Sequence, residues 1–245
     1  MKAKKIAMII SFGLSILGLL LAFIFTFTNA AFGKMEQLLV NLSIGLSTGG
    51  LVALLIEIPM ALSTIAVNKR LLTLNGFHTY RSCAILVTLV DTACKNEGAP
   101  IYKAFCTSHI DKINYFALPL LNLDPHMYIN SVKRKKIIRF IETISNFTLQ
   151  REAMEAGLQI KINIEQIRSL QAGKRELPIA SRDVKYELEQ IKGQVVPICD
   201  TINDCMSLVL NEKELNIWHK QLEYINKDME RIQANLQANL KEESE

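Results

Sequence analysis

The stretch Leu38–Glu57 reads LLVNLSIGLSTGGLVALLIE, and it decides the architecture. Its first 19 residues, Leu38 to Ile56, carry no charge. About 20 apolar residues suffice to cross a bilayer as a helix. Gly45 and Gly49 stand four apart, Ala53 continues the step, and Asn41 and Glu57 complete it at either end. A helix therefore sets Asn41, Gly45, Gly49, Ala53 and Glu57 on one slowly drifting stripe. Ser43, Ser47, Thr48 and Gly50 keep the surroundings small and polar. In lipid, small residues let helix backbones approach, and polar side chains hydrogen-bond across the contact. Two uses are open: packing against a neighbouring span of the same chain, or self-association. They are compatible, because Ser47 and Gly50 offer a second small face. Glu57 reads as an interfacial carboxylate reaching toward water, since Pro59 follows it, or as a buried or pore-lining one.

Working outward toward the N-terminus, no charged residue occurs between Lys5 and Lys34. The apolar run Ile6–Phe27 has 22 residues, longer than the ~7–15 of a cleavable signal sequence. It reads as a retained span, with a weaker small stripe at Ser11, Ser15, Gly18 and Ala22. Spans are expected at about 6–27 and 38–60 within a hairpin domain covering residues 1–70. Lys2, Lys4 and Lys5 precede the first span, and Lys69 and Arg70 follow the second. The intervening loop, about Asn29 to Gln37, holds only Lys34, opposed by Glu36. Positive flanks stay in the cytoplasm, so both termini and the large domain, residues 71–245, are expected there.

The charge distribution agrees. Residues 1–70 hold six basic and two acidic side chains, which accounts for the whole net charge of +4, whereas residues 71–245 hold 22 of each. That argues against a uniformly basic nucleic-acid binder, and 49% hydrophobic residues argue against a disordered chain. The second domain is itself split: residues 71–139 carry nine basic and four acidic groups, and residues 140–245 carry 13 and 18.

Residues 71–245 read as helical, either one domain or subdomains 71–125 and 126–245. A helix is expected from about Thr79 to Cys94, another from Pro100 to about Ala117, and a long one from an Asp124 cap to about Ala172, stopped at Gly173. Within the last, Leu158, Ile160, Ile162 and Ile164 alternate as a strand would, which leaves residues 157–165 open between strand and helix, helix preferred. Ser181 can cap a helix whose Val184, Leu188, Ile191, Val195, Ile198, Ile202, Cys205 and Val209 recur at alternating spacings of 4 and 3, kinked around Gly193 and Pro197. Asn211 and Glu214 fit a capping box. It opens a helix with the seam Leu215, Trp218, Leu222, Ile225, Met229, Ile232 and Leu236. Such a seam serves either a bundle core or an intermolecular coiled coil. The expected fold is thus all-α: a two-helix transmembrane hairpin and a cytosolic helical bundle with heptad-patterned last helices.

Chemistry-bearing motifs are sparse. Five cysteines without a C-x-x-C pair suit free thiols. Cys106 and His109, with Cys94 and His126 elsewhere, make a poor zinc set. Gly45-Leu46-Ser47-Thr48-Gly49 matches a nucleophile elbow in letters but lies in an apolar helix pattern, where the strand and sharp turn of that motif have no place. No catalytic residue, metal or cofactor is expected. The densest basic run, Lys133, Arg134, Lys135, Lys136 and Arg139, is either a solvated helix turn, a contact for anionic headgroups, or an anion site.

These features point to a homo-oligomeric, non-enzymatic membrane effector. Its cytosolic domain would sense a partner or ligand and alter membrane permeability. The outline is similar to that of two-span toxin effectors in bacterial defence systems, which implies a pore-forming or toxin-like activity at the bacterial inner membrane. The alternatives are a membrane-anchored scaffold recruiting a cytosolic protein, and a tethered enzyme or receptor around His109 and the basic run. The bilayer, further copies of the chain, and a cytosolic protein or anionic ligand are the expected partners; nucleic acid is not.

Overall fold

The computed structural model describes residues 2–27, 34–95, 103–128, 130–173 and 181–242. Among them the fold is all-helical, with no strand: α1 (Lys2–Phe27), α2 (Lys34–Lys95), α3 (Lys103–Ala117), two 3-10 turns (Leu118–Asn122 and Pro125–Met127), α4 (Ser131–Gln171), α5 (Arg182–Val209) and α6 (Glu212–Glu242). The chain divides into two compact units, Met1–Val67 and Asn68–Glu245.

In the first unit, α1 and the N-terminal part of α2 pack antiparallel: Ser11 and Ser15 lie opposite Gly50, and Gly18 lies opposite Ser43 and Ser47. The stretch Gln37–Lys95 is the one described helix long and apolar enough to cross a membrane, and only 6% of its most apolar window is buried. The described apolar part of α1, Ile9–Ile24, is shorter.

In the second unit, α5 is the central element. Its residues Val184, Leu188, Ile191, Val195, Ile198, Ile202 and Cys205 are all buried, as the 4,3 spacing requires of one face. The helix runs unbroken through Pro197, whose carbonyl accepts a hydrogen bond from Thr201 Oγ1 at 2.7 Å. The most extensive packing is between α5 and α4, which buries Ile137, Phe140, Ile144, Phe147, Leu158 and Ile162. From α2 come Leu72, Cys83, Leu86 and Val90, and from α3 Ile110, Ile113 and Ala117. Ion pairs Lys136–Asp204 and Lys161–Asp183 set α4 and α5 antiparallel. Asp91–Lys192, together with Met206 against Gly76, does the same for α2 and α5. At Gly76 an added Cβ would stand 2.8 Å from Met206 Cε, so glycine admits that methionine.

Two boundaries differ from the sequence reading, and the preferred helix over residues 157–165 holds. No helix starts at Thr79, because α2 is continuous from Lys34 to Lys95 with Pro59 inside it. A single proline removes one N–H, and the surrounding turns keep the helix. Asp124 does not cap α4. Its backbone is tied to Asn68, and its Oδ1 accepts from His126 N at 3.1 Å, which closes the short Pro125–Met127 turn. Asn130 caps α4 instead, its Oδ1 accepting from Val132 N and Lys133 N. Residues 157–165 are helix. Leu158 and Ile162, four apart, face the core, whereas Ile160 and Ile164 sit on the exposed side, so the alternation marks two faces of one helix. Other signals hold as read. Gly173 adopts φ +71 just past α4, Ser181 Oγ caps α5, and Asn211 and Glu214 bond reciprocally at 2.9 and 3.0 Å. Pro100 and the loop residues 28–33 lie outside the described residues.

Candidate functional site

The two small faces of α2 have different fates. One face, Ser43, Ser47 and Gly50, is the contact with α1. A Cβ at Gly18 would stand 2.6 Å from both Ser43 O and Ser47 N, and a Cβ at Gly50 would stand 2.6 Å from Ser11 O. Backbones this close leave no room for a methyl group, and Ser15 Oγ donates across the contact to Ser47 O at 3.2 Å. Ser15, Ser43 and Ser47 are buried accordingly. The contact also reveals a feature that reading along the chain missed. Residues 11–18, SFGLSILG, and 43–50, SIGLSTGG, share five of eight residues in register. Placed antiparallel, the two octads meet through equivalent positions, an approximate local twofold. The match was visible in the sequence, but its meaning depends on the antiparallel pairing.

The other face is the stripe singled out first. Asn41, Gly45 and Gly49 are exposed, and Ala53 and Glu57 are part-buried. A Cβ at Gly45 or Gly49 would meet nothing within 4 Å. Glu57 Oε2 is enclosed without a hydrogen-bond partner among the described residues. The hairpin therefore leaves Asn41, Gly45 and Gly49 uncovered, whereas Ala53 and Glu57 are partly enclosed.

At one end of the second unit lies the basic run. Lys136 pairs with Asp204 at 3.3 Å. Among the described residues, no ion pair engages Lys133, Arg134, Lys135 or Arg139; Lys135 and Arg139 are exposed and the other two half-buried. At the same end Lys69 pairs with Glu214, which also closes the α6 capping box. The Lys69 ammonium, followed by the Asn211 N–H, holds the Glu214 carboxyl below the usual carboxylate range.

Along the α6 seam, Trp218, Ile225 and Met229 are buried within the single chain, and Leu215, Leu222, Ile232 and Leu236 are partly so. Trp218 stands edge-on to Phe77 and Tyr80 of α2 and donates its indole N–H to Asn203 Oδ1 at 3.3 Å. Outward on α6, Ile217 and Tyr224 are exposed seven residues apart.

Burial shifts several titratable groups inside the second unit. His109 is 4% exposed, and burial, with a smaller contribution from Lys112, lowers its pKa to about 4. Burial pushes the Cys205 thiol up to about 12 and raises Cys83, whose thiol meets Cys199. Ser47 sits inside a continuous helix, packed against α1. The Cys106 side chain lies outside the described residues, and among those described no group of three His, Cys, Asp or Glu could hold a metal ion. In comparisons with known proteins, no family model, curated protein or solved structure matches the chain.

Proposed function

We propose that this chain is a homo-oligomeric, two-span membrane effector whose cytosolic helical domain senses a partner or ligand and alters membrane permeability. In this reading α1 and the first part of α2 cross the membrane, with both termini and Asn68–Glu245 on the cytoplasmic side of a bacterial inner membrane. The observation that carries it is the uncovered part of the stripe: the hairpin uses Ser43, Ser47 and Gly50, while Gly45 and Gly49 stay open to a second copy. Small residues with no partner have no use toward lipid, and they gain packing contacts only against another helix. Asn41 and Glu57 on the same stripe would then gather around the axis of an assembly, where polar and ionisable side chains line water-filled paths.

The test is dye uptake and membrane potential after expression of the full chain. Gly45→Leu and Gly49→Leu should abolish permeabilisation while leaving membrane insertion intact. Undiminished permeabilisation in both variants, or a strict monomer in mild detergent, would remove this mechanism. A membrane-anchored scaffold is the second reading, favoured by the exposed Ile217 and Tyr224 on the outer face of α6. It predicts no dye uptake from the wild-type chain.

A further inference from the structure

The end of the second unit at which α2 enters is built as a surface rather than a pocket. Asn68 is buried, and its side chain pairs with the Asp124 backbone at two points: Nδ2 donates to Asp124 O at 3.0 Å, and Oδ1 accepts from Asp124 N at 3.2 Å. The Tyr128 hydroxyl also bonds to Asn68. Asn130 then caps the next helix. The residue that follows the apolar stretch of α2 thereby holds the start of α4 beside it. On that start, Val132 is 57% exposed, an isolated aliphatic side chain next to Lys133, Arg134 and Lys135. Arg70 on α2, two residues past Asn68, and Arg139 on α4 are also exposed. Of the carboxylates at this end, Asp204 and Glu214 are engaged by Lys136 and Lys69, and among the described residues neither Asp124 nor Glu212 forms an ion pair with the basic run.

From these residues we infer that this end docks on an anionic lipid leaflet. Lys133, Arg134, Lys135 and Arg70 meet phosphate-bearing headgroups, and Val132 enters the boundary with the acyl chains. The inference rests on the reading that α2 crosses the bilayer. Only seven residues of sequence lie between Met60 and Asn68, so the chain tethers this end close to the leaflet, whose field extends about a Debye length of ~8 Å beyond the headgroups. A single small anion is a poorer occupant. Consecutive positions fan the charges around the helix, and Asn130 already takes the backbone N–H groups of Val132 and Lys133. A fan of cations with one aliphatic side chain between them suits a plane of headgroups.

The experiment uses the full chain carrying Val132→Cys in vesicles of phosphatidylcholine alone or with added phosphatidylglycerol. The rate of labelling by an aqueous maleimide is read above that of the wild-type cysteines. Phosphatidylglycerol should slow labelling about tenfold. High salt, or the companion substitutions Lys133→Gln, Arg134→Gln and Lys135→Gln, should restore the rate. These neutral changes fall at half-buried (Lys133, Arg134) and exposed (Lys135) positions, and unchanged thermal unfolding shows that they leave the fold intact. Equal rates in the two vesicle types overturn the proposal. Protection by inorganic phosphate in phosphatidylcholine vesicles overturns it as well, because it marks a free-anion site. Carbonate extraction tests the membrane span separately: a chain that resists extraction yet shows no protection loses the docking face alone.

Discussion

Adding one methyl group to either of two adjacent glycines should have opposite effects. In Gly50→Ala the new Cβ would stand 2.6 Å from Ser11 O, 0.8 Å short of the 3.4 Å at which ordinary contact begins. α1 and α2 must move apart by about that much, which stretches the Ser15–Ser47 hydrogen bond from 3.2 Å to about 4 Å, beyond useful length. Overpacking of this kind costs about 1–3 kcal/mol, and an interhelical hydrogen bond in a membrane is worth about 0.6 kcal/mol. Gly49→Ala gains the same helix propensity, about 1 kcal/mol, with nothing within 4 Å to strike. The propensity gain cancels between the two variants, leaving Gly50→Ala less stable than Gly49→Ala by about 1.5–3.5 kcal/mol. The assay is SDS titration of the full chain in mixed micelles, dilute enough to keep it monomeric, with energy transfer between labels on α1 and α2 reporting hairpin opening. Coincident transitions for the two variants, or a Gly50→Ala hairpin tighter than wild type, would refute the assignment of the two faces.

Three further outcomes follow from the second unit. Phe147→Ala, at a fully buried position, should cost about 3–5 kcal/mol. Leu149→Ala, two residues on and 78% exposed, should stay within about 0.5 kcal/mol in denaturant unfolding. His109 should titrate near 4 by NMR. Because its folded pKa is below the unfolded value of about 6.5, the unfolded chain binds the proton first. Its contribution to stability is therefore complete above pH ~6.5 and is lost as pH falls toward 4, a slope that His109→Gln should lack. Glu214 also has a depressed folded pKa. Its contribution is present above the unfolded value of about 4.3 and disappears as pH falls through the lower folded value, and Glu214→Gln should flatten that window.

Most of the local organisation was legible along the chain. The α5 register, the Ser181 and Asn211–Glu214 caps and the Gly173 stop follow from periodicity and from single polar groups meeting free backbone N–H groups, and those are local events. Where an expected boundary moved, a distant partner moved it. Asp124 reads as a cap until Asn68, 56 residues away, takes its backbone. The alternation at Leu158–Ile164 leaves strand and helix open, with helix preferred, and burial of Leu158 and Ile162 four residues apart marks the inner face of that helix. The candidate stripe was legible in full as a pattern, but whether it was covered was not.

That difference separates the two sources of information. Composition and spacing alone determined that the chain is helical, that two long apolar runs lie before Asn68, and that α2 carries two small faces, because each is a property of one segment in a given solvent. Which face of α2 meets α1 was decided only in three dimensions. The antiparallel octads 11–18 and 43–50 bring Gly18 and Gly50 to backbones that would clash with any side chain, and Gly45 and Gly49 are left pointing away. A glycine's role depends on what stands opposite it, and that is set by the approach of two helices distant in sequence.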